Sequence, residues 1–268
     1  MSNPSFPRVE INGRPARTAE LRFPALVNDG HFTTMQVRSR AVRGLDRHLS
    51  RLDAATRELY GVRLDGDRIR AHIRHALGDE ISDASVRVNV FRPDPDRGAE
   101  PGADPSLMVS LRAPASAPSR PQRLQSVTYQ RPFAHLKHAG TFAQIHYRRM
   151  AARAGFDEAL LIDRDGIVSE SAIANIGCYD GETMIWPDAP ALHGTTMQLI
   201  EQALPGAGIG SQRSTIRLGD LASFRAVVLA NSSGISPVGQ VDDLVLPVDP
   251  EIMTTLTELY RRIPWDPV

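Results

Sequence analysis

The stretch His135–Ile176, HLKHAGTFAQIHYRRMAARAGFDEALLIDRDGIVSESAIANI, carries most of what the sequence says about fold and chemistry. Thr141–Ala154 has helical composition and stops at Gly155. Glu158–Asp163 follows as a continuous apolar strand, and Asp165-Gly166 turns the chain. A second strand is expected over Ala174–Tyr179. Just before the helix stands Lys137, the only lysine; the other 30 of the 31 basic residues are arginines. Arginine pairs and solvates as well as lysine but does not lose its proton near neutrality, so it cannot attack a carbonyl as a free amine. A chain that spells its cations as arginine and keeps one lysine points to amine chemistry, first of all a Schiff base.

Outward from that segment the chain alternates strands and helices irregularly. Towards the N-terminus, strands are expected over Arg8–Asn12, Phe32–Arg38, Ser85–Phe91 and Leu107–Leu111, with helices over Leu45–Tyr60 and Arg68–Leu77. The first helix is the clearest: Leu45, Leu49, Leu52, Ala55 and Leu59 recur at spacings of three and four before Gly61. Arg92–Pro105, rich in Pro, Gly and Asp, reads as an exposed loop. Beyond it, strands are expected over Arg123–Tyr129, Thr183–Trp186 and Arg225–Asn231, and helices over Thr195–Leu204 and Pro250–Arg262. The Pro/Ser/Ala-rich run near 115–121 has linker composition. The expected organisation is α+β, with a small N-terminal domain over 1–114, a linker over 115–121 and a C-terminal domain over 122–268.

Composition excludes several classes. The 268 residues carry zero formal net charge with both signs interspersed, which is not the field of a nucleic-acid binder or a polybasic membrane anchor. The single Cys178 forms no internal disulfide and no ordinary structural zinc site. No apolar run approaches membrane-spanning length, and Met1–Glu10 lacks a signal-peptide pattern, so a cytoplasmic protein is expected. His135, His138 and His146 lack the spacing of a metal site, and none is expected. No Rossmann or Walker glycine loop and no Gly-x-Ser-x-Gly elbow appears.

Five stretches recur in a telling order: His48-Leu49-Ser50-Arg51-Leu52, the lysine segment, Val168-Ser169-Glu170-Ser171 running to Asn175, Leu192-His193-Gly194-Thr195-Thr196-Met197, and Ala230-Asn231-Ser232-Ser233-Gly234. Singly, each has an ordinary account. Arg51 fits a helix-surface charge, Glu170 a solvent-facing strand position, and Thr195 and Thr196 a helix N-cap. Together they resemble the class IV aminotransferases, the fold-type IV pyridoxal-phosphate enzymes, over about Val9 to Val241. That group includes branched-chain and D-amino-acid aminotransferases and aminodeoxychorismate lyase.

The resemblance implies a small N-terminal α/β sandwich, a larger C-terminal pseudo-barrel, a homodimer, and pyridoxal 5'-phosphate as cofactor. It makes Lys137 the Schiff-base lysine and the acid/base at the substrate's Cα. Glu170 becomes the carboxylate that keeps the pyridine nitrogen protonated. Arg51, Thr195, Thr196, Ser232 and Ser233 become phosphate or cofactor contacts, and Asn175 fixes the loop carrying Glu170. Substrate contacts are expected at Thr34, Gln36 and Arg38.

Three departures bear on substrate. Phe142 stands where branched-chain aminotransferases carry a tyrosine that bonds the cofactor's phenolic oxygen. Gln36 stands where related enzymes often place an arginine, with Arg38 two residues on and on the same strand face. Met197 replaces an arginine common after the Gly-Ile-Thr of the family. The expected activity is amino transfer between an amino acid or amine and a 2-keto acid. Gly30-His31-Phe32-Thr33-Thr34 resembles the lyase subgroup and keeps aminodeoxychorismate cleavage to 4-aminobenzoate and pyruvate as the alternative. A non-catalytic binding module on the same fold is the reading from another class; the joint retention of Lys137 and Glu170 argues against it.

Overall fold

The computed structural model describes residues 6–92 and 104–268. The expected loop over Arg92–Pro105 therefore lies largely outside the described residues. The described chain is a mixed α/β protein that divides into two compact units. The first runs to Ala115 and takes back two later pieces, Leu136–Gly140 and Pro264–Val268; the second holds Ser116–His135 and Thr141–Ile263. A linear division at 115–121 would leave both returning pieces in the second half.

The first unit is built on a five-stranded antiparallel sheet. In chain order it holds β1 (Arg8–Ile11), β2 (Arg14–Pro15), β3 (Gly30–Val37), β5 (Ala84–Phe91) and β6 (Ser106–Arg112), in the spatial order β2-β1-β6-β5-β3. Between β3 and β5 come a short strand β4 (Ala41–Arg43) and two helices, α2 (Leu45–Tyr60) and α3 (Gly66–Leu77). A helix α1 (Thr18–Leu26) precedes β3.

Alternation along β5 explains the packing. Val86, Val88 and Val90 are fully buried in one cluster with Leu45 and Leu52 of α2 and Ile69, Ile73 and Leu77 of α3. Ser85, Arg87 and Asn89 turn to the opposite face. Helix α2 begins after Gly44, which has no side chain to cap it; the Asp266 carboxylate accepts from the Leu45 N–H at 3.0 Å instead. Asp266 is held there because Trp265–Pro267 pairs antiparallel with β4.

Helix α2 is also fastened to β3 by two buried polar pairs. His31 Nε2 lies 3.0 Å from Thr56 Oγ1, and Thr33 Oγ1 lies 2.6 Å from His48 Nδ1. Burial pushes the His31 imidazole down to about 4. Burial, aided by the positive charges of Arg51 and Lys137, pushes His48 down to about 3.

The second unit carries a nine-stranded curled sheet. Its elements in chain order are β7 (Gln122–Thr128), α4 (Phe142–Arg153), β8 (Glu158–Ile162), β9 (Val168–Ser171), β10 (Asn175–Tyr179), β11 (Thr183–Pro187), α5 (Thr195–Ala203), β12 (Gly210–Ser214), β13 (Ala226–Asn231), β14 (Gly234–Val241), β15 (Leu244–Val245) and α6 (Pro250–Arg262). The order is β12-β11-β10-β13-β14-β7-β8-β9, with β15 on β14. The middle of the sheet is buried on both faces, which is why β13 reads Ala-Val-Val-Leu-Ala without alternation. Val227 and Leu229 pack with Leu124, Leu160 and Val168; Val228 and Ala230 pack with Met197 and Ile200 of α5 and Leu256 of α6. Among the described residues no helix is long and apolar enough to cross a membrane.

The two depressed histidines set a pH dependence. Both are neutral when folded, whereas in the unfolded chain they take up protons below about pH 6.5. Their contribution is complete above that value and is lost as pH falls from 6.5 towards 4, by roughly 2 kcal/mol per histidine at pH 5. Urea midpoints of the native chain and a His31→Gln variant, compared at pH 8 and pH 5, measure this. The variant should lose less of its midpoint on acidification, and equal losses would remove His31 as a source.

Candidate active site

Strand β3 is an edge strand, and its open side is closed by the lysine segment. The Phe32 N–H donates to the Lys137 carbonyl at 2.9 Å, and the Ala139 N–H donates to the Gly30 carbonyl at 2.7 Å. Residue 30 must be glycine, since a Cβ there would stand 2.9 Å from the Val90 carbonyl oxygen of the neighbouring strand β5. Lys137 is thus fixed by its backbone while its half-buried side chain crosses the β3 face, with Nζ 5.0 Å from the centroid of the Phe32 ring.

A second cation shares that ring. The guanidinium carbon of Arg87 lies 3.6 Å from the Phe32 centroid, and Arg87 Nε donates to Asn89 Oδ1 at 2.9 Å. No carboxylate pairs with it among the described residues. Burial, then the neighbouring Arg112, lowers its pKa to about 10. Arg87 also lines a cavity of about 290 Å³ with Gly30, Asn89, Phe91, Met108 and Ser110.

Thr34 is the cross-strand partner of Arg87 on the same face. Gln36 and Arg38 are further along β3 and are engaged locally. Gln36 bonds Ser85 Oγ and the Ala115 N–H, and Arg38 donates to the carbonyls of Val37 and Ala115. Arg51, from α2, approaches the opposite face of β3, where Nη1 donates to Thr33 Oγ1 at 3.4 Å.

In the second unit Glu170 sits on β9, 6% exposed rather than solvent-facing. Arg131 Nε donates to Glu170 Oε1 at 2.9 Å, and the Leu192 N–H donates to Oε2 at 3.2 Å. The Arg131 guanidinium also donates to the Ala134 carbonyl, closing the turn that leads to Lys137. Asn175, at the start of β10, donates from its amide to the Leu192 carbonyl. It also fills the space where a Cβ on residue 194 would stand, so glycine is required before α5.

The start of α5 has no side-chain cap. Thr195 is buried, and its hydroxyl has no partner among the described residues. Thr196 Oγ1 donates to the Asn231 carbonyl at 2.7 Å, and the Asn231 side chain accepts from the Ser233 N–H at 2.8 Å. Helix start and β13–β14 turn are therefore stitched together, with Ser232 and Ser233 half-buried in the turn. Free helical N–H groups beside an unpartnered, buried hydroxyl suit an anion such as phosphate.

Arg131, Arg87 and His48 were not among the candidates read from sequence. For Arg87 a signal was present: an arginine in the Val-Arg-Val-Asn-Val run of β5 is an expensive choice unless its face has a use. Arg131 stands six residues before Lys137 with no motif to mark it.

The family model of class IV amino-transferases matches residues 30–241. No curated protein matches the sequence. Among solved structures, a 4-amino-4-deoxychorismate lyase from Pseudomonas aeruginosa is 28% identical, with a TM-score of 0.78 over 94% of this chain and 98% of its own. A hypothetical aminotransferase from Mycobacterium tuberculosis in its PLP-bound form is 21% identical, with a TM-score of 0.80 over 95% and 97%. The branched-chain aminotransferase of Thermoproteus uzoniensis is 20% identical, with a TM-score of 0.80 over 95% and 93%. The cofactor of the family is pyridoxal phosphate. The chain belongs to the class IV aminotransferase family.

Proposed function

We propose that the protein transfers an amino group between an amino acid or amine and a 2-keto acid, with Lys137 as the lysine that holds the cofactor. The observation that carries this reading is the clasp of the sole lysine onto β3, which brings its amine near the Phe32 ring that Arg87 also covers. The unpartnered Thr195 hydroxyl and the uncapped start of α5 fit the cofactor's phosphate, and Ser232 and Ser233 add donors beside them. The family resemblance also makes Arg51, with its guanidinium fork, a phosphate ligand. Bound pyridoxal phosphate supplies an electron sink for the pair of electrons left at the substrate's Cα.

Around it the residues divide the work. The Lys137 amine takes and returns the proton at Cα. Glu170 holds a proton on the pyridine nitrogen, while Arg131 and the Leu192 N–H fix the direction of its carboxylate. Asn175 ties that carboxylate's strand to the loop before α5. Arg87 is the cation for the substrate carboxylate, a role for which Arg38 is less suited because its guanidinium is bonded to backbone carbonyls. Thr34, beside Arg87, and Gln36 remain substrate-side positions. The active form is taken to be a homodimer, as the family resemblance implies. A cytoplasmic setting goes with it, in keeping with one buried, unpaired cysteine. The lyase reading is favoured by Gly30-His31-Phe32-Thr33-Thr34 and stays as the second one.

Borohydride should fix the cofactor onto the peptide carrying Lys137, with the visible cofactor band lost in Lys137→Ala; an unchanged band there would end the assignment. For the reaction, single-turnover mixing with L- and D-amino acids should convert the cofactor to its pyridoxamine form. Release of pyruvate and 4-aminobenzoate from aminodeoxychorismate, without that conversion, would select the lyase. Arg87→Met should raise KM for the keto acid roughly 10- to 100-fold, the worth of a charge-assisted bond, with the cofactor Kd unchanged. A native KM in that variant would remove Arg87 from substrate binding.

A further inference from the structure

The seam between α2 and β3 holds a buried polar chain with a direction to it. Thr33 is fully buried and His48 is 4% exposed. Thr33 Oγ1 meets two groups, Arg51 Nη1 at 3.4 Å and His48 Nδ1 at 2.6 Å. A guanidinium has only donors, so the Thr33 oxygen accepts from Arg51. The hydroxyl must then give its own hydrogen elsewhere, and His48 Nδ1 is the acceptor within reach among the described residues. That assignment puts the remaining imidazole proton on Nε2.

We propose that His48 is a positioning residue for Arg51, acting through the Thr33 hydroxyl to set the guanidinium for the cofactor's phosphate. The inference rests on the reading of Arg51 as a phosphate ligand. His48 and Arg51 stand three residues apart on α2 and so share a helix face, with Thr33 reaching between them from β3. Without an acceptor at Nδ1 the Thr33 hydroxyl is free to rotate, and its hydrogen then competes with Arg51 for the space the lone pair held. The guanidinium loses a fixed bond to Thr33, and a fork that must meet phosphate oxygens in a defined plane loses part of its preorganisation.

A packing role alone would behave differently. It would change cofactor affinity with or without the phosphate, and it would follow side-chain volume rather than acceptor position. Asparagine presents an acceptor near Nδ1, glutamine presents one near Nε2, and phenylalanine presents bulk without either.

The test is spectroscopic titration of the apoprotein with pyridoxal phosphate and, separately, with pyridoxal, which lacks the phosphate. His48→Phe and Thr33→Val should each weaken pyridoxal phosphate binding roughly tenfold, leave pyridoxal binding unchanged, and combine without further loss. His48→Asn should recover most of the affinity and His48→Gln little of it. Equal weakening of both ligands, or native affinity in His48→Phe and Thr33→Val, would overturn the proposal. Arg51→Lys is the separate control. If it leaves pyridoxal phosphate affinity intact, the phosphate reading of Arg51 fails; if it weakens that affinity while the His48 and Thr33 variants do not, only the positioning role fails.

Discussion

An open sheet edge is the constraint on which the first unit depends. Strand β3 ends its sheet, and its outward N–H and C=O groups need partners or water. Five residues from between β7 and α4 supply them, and one of the five is the only lysine in the chain. The arrangement solves two problems together. The edge is covered, and a side chain with many rotamers is anchored at its root by two backbone bonds, so that only its own torsions remain to be ordered. The two bonds, 2.9 and 2.7 Å long, hold the segment in register with β3.

The period of two along β3 then separates scaffold from chemistry. His31 and Thr33 face α2 and bond to it; Phe32 and Thr34 face the other way, beside Arg87. A one-residue slip would exchange the two sets, placing Phe32 and Thr34 against α2 and turning His31 and Thr33 away from it. The buried His–Thr pairs resist such a slip, because a buried polar group that loses its partner costs more than an ordinary bond contributes. Specific polar pairs in an otherwise apolar seam therefore fix the register of β3 against α2.

Much of this was legible in the sequence, and what was not has physical causes. Leu45–Tyr60 and Pro250–Arg262 have strong apolar periodicity, glycine or Asp-Pro punctuation, and the bounds expected of them. Helix α1 was missed because it buries nothing and holds Pro24 within it. Strand β9, Val-Ser-Glu-Ser, is too polar to read as buried, and β14 is interrupted by Pro237 and Gly239. Both are strands because neighbours in the sheet complete their ladders. The residues of the candidate site that lie in motifs were named from those motifs. Arg131 and Arg87 lie outside those motifs, and His48 lies in one without a role assigned to it, since what each does comes from one long-range contact: Glu170, the Phe32 ring and Thr33 respectively.

The Arg131–Glu170 pair shows why such contacts matter more than the residues alone. Taking both charges out of water is costly, and an apolar pair of like volume would serve folding as well or better. The pair is therefore better explained by what it holds in place. Oε1 is occupied by the Arg131 guanidinium and Oε2 by the Leu192 N–H, which fixes the carboxylate plane. The same guanidinium closes the turn at Ala134, three residues before the lysine. One buried cation thus both orients the Glu170 carboxylate and closes the turn at Ala134. That double duty gives a physical reason for arginine, with its several donors in a fixed plane, where a lysine would satisfy only one partner well.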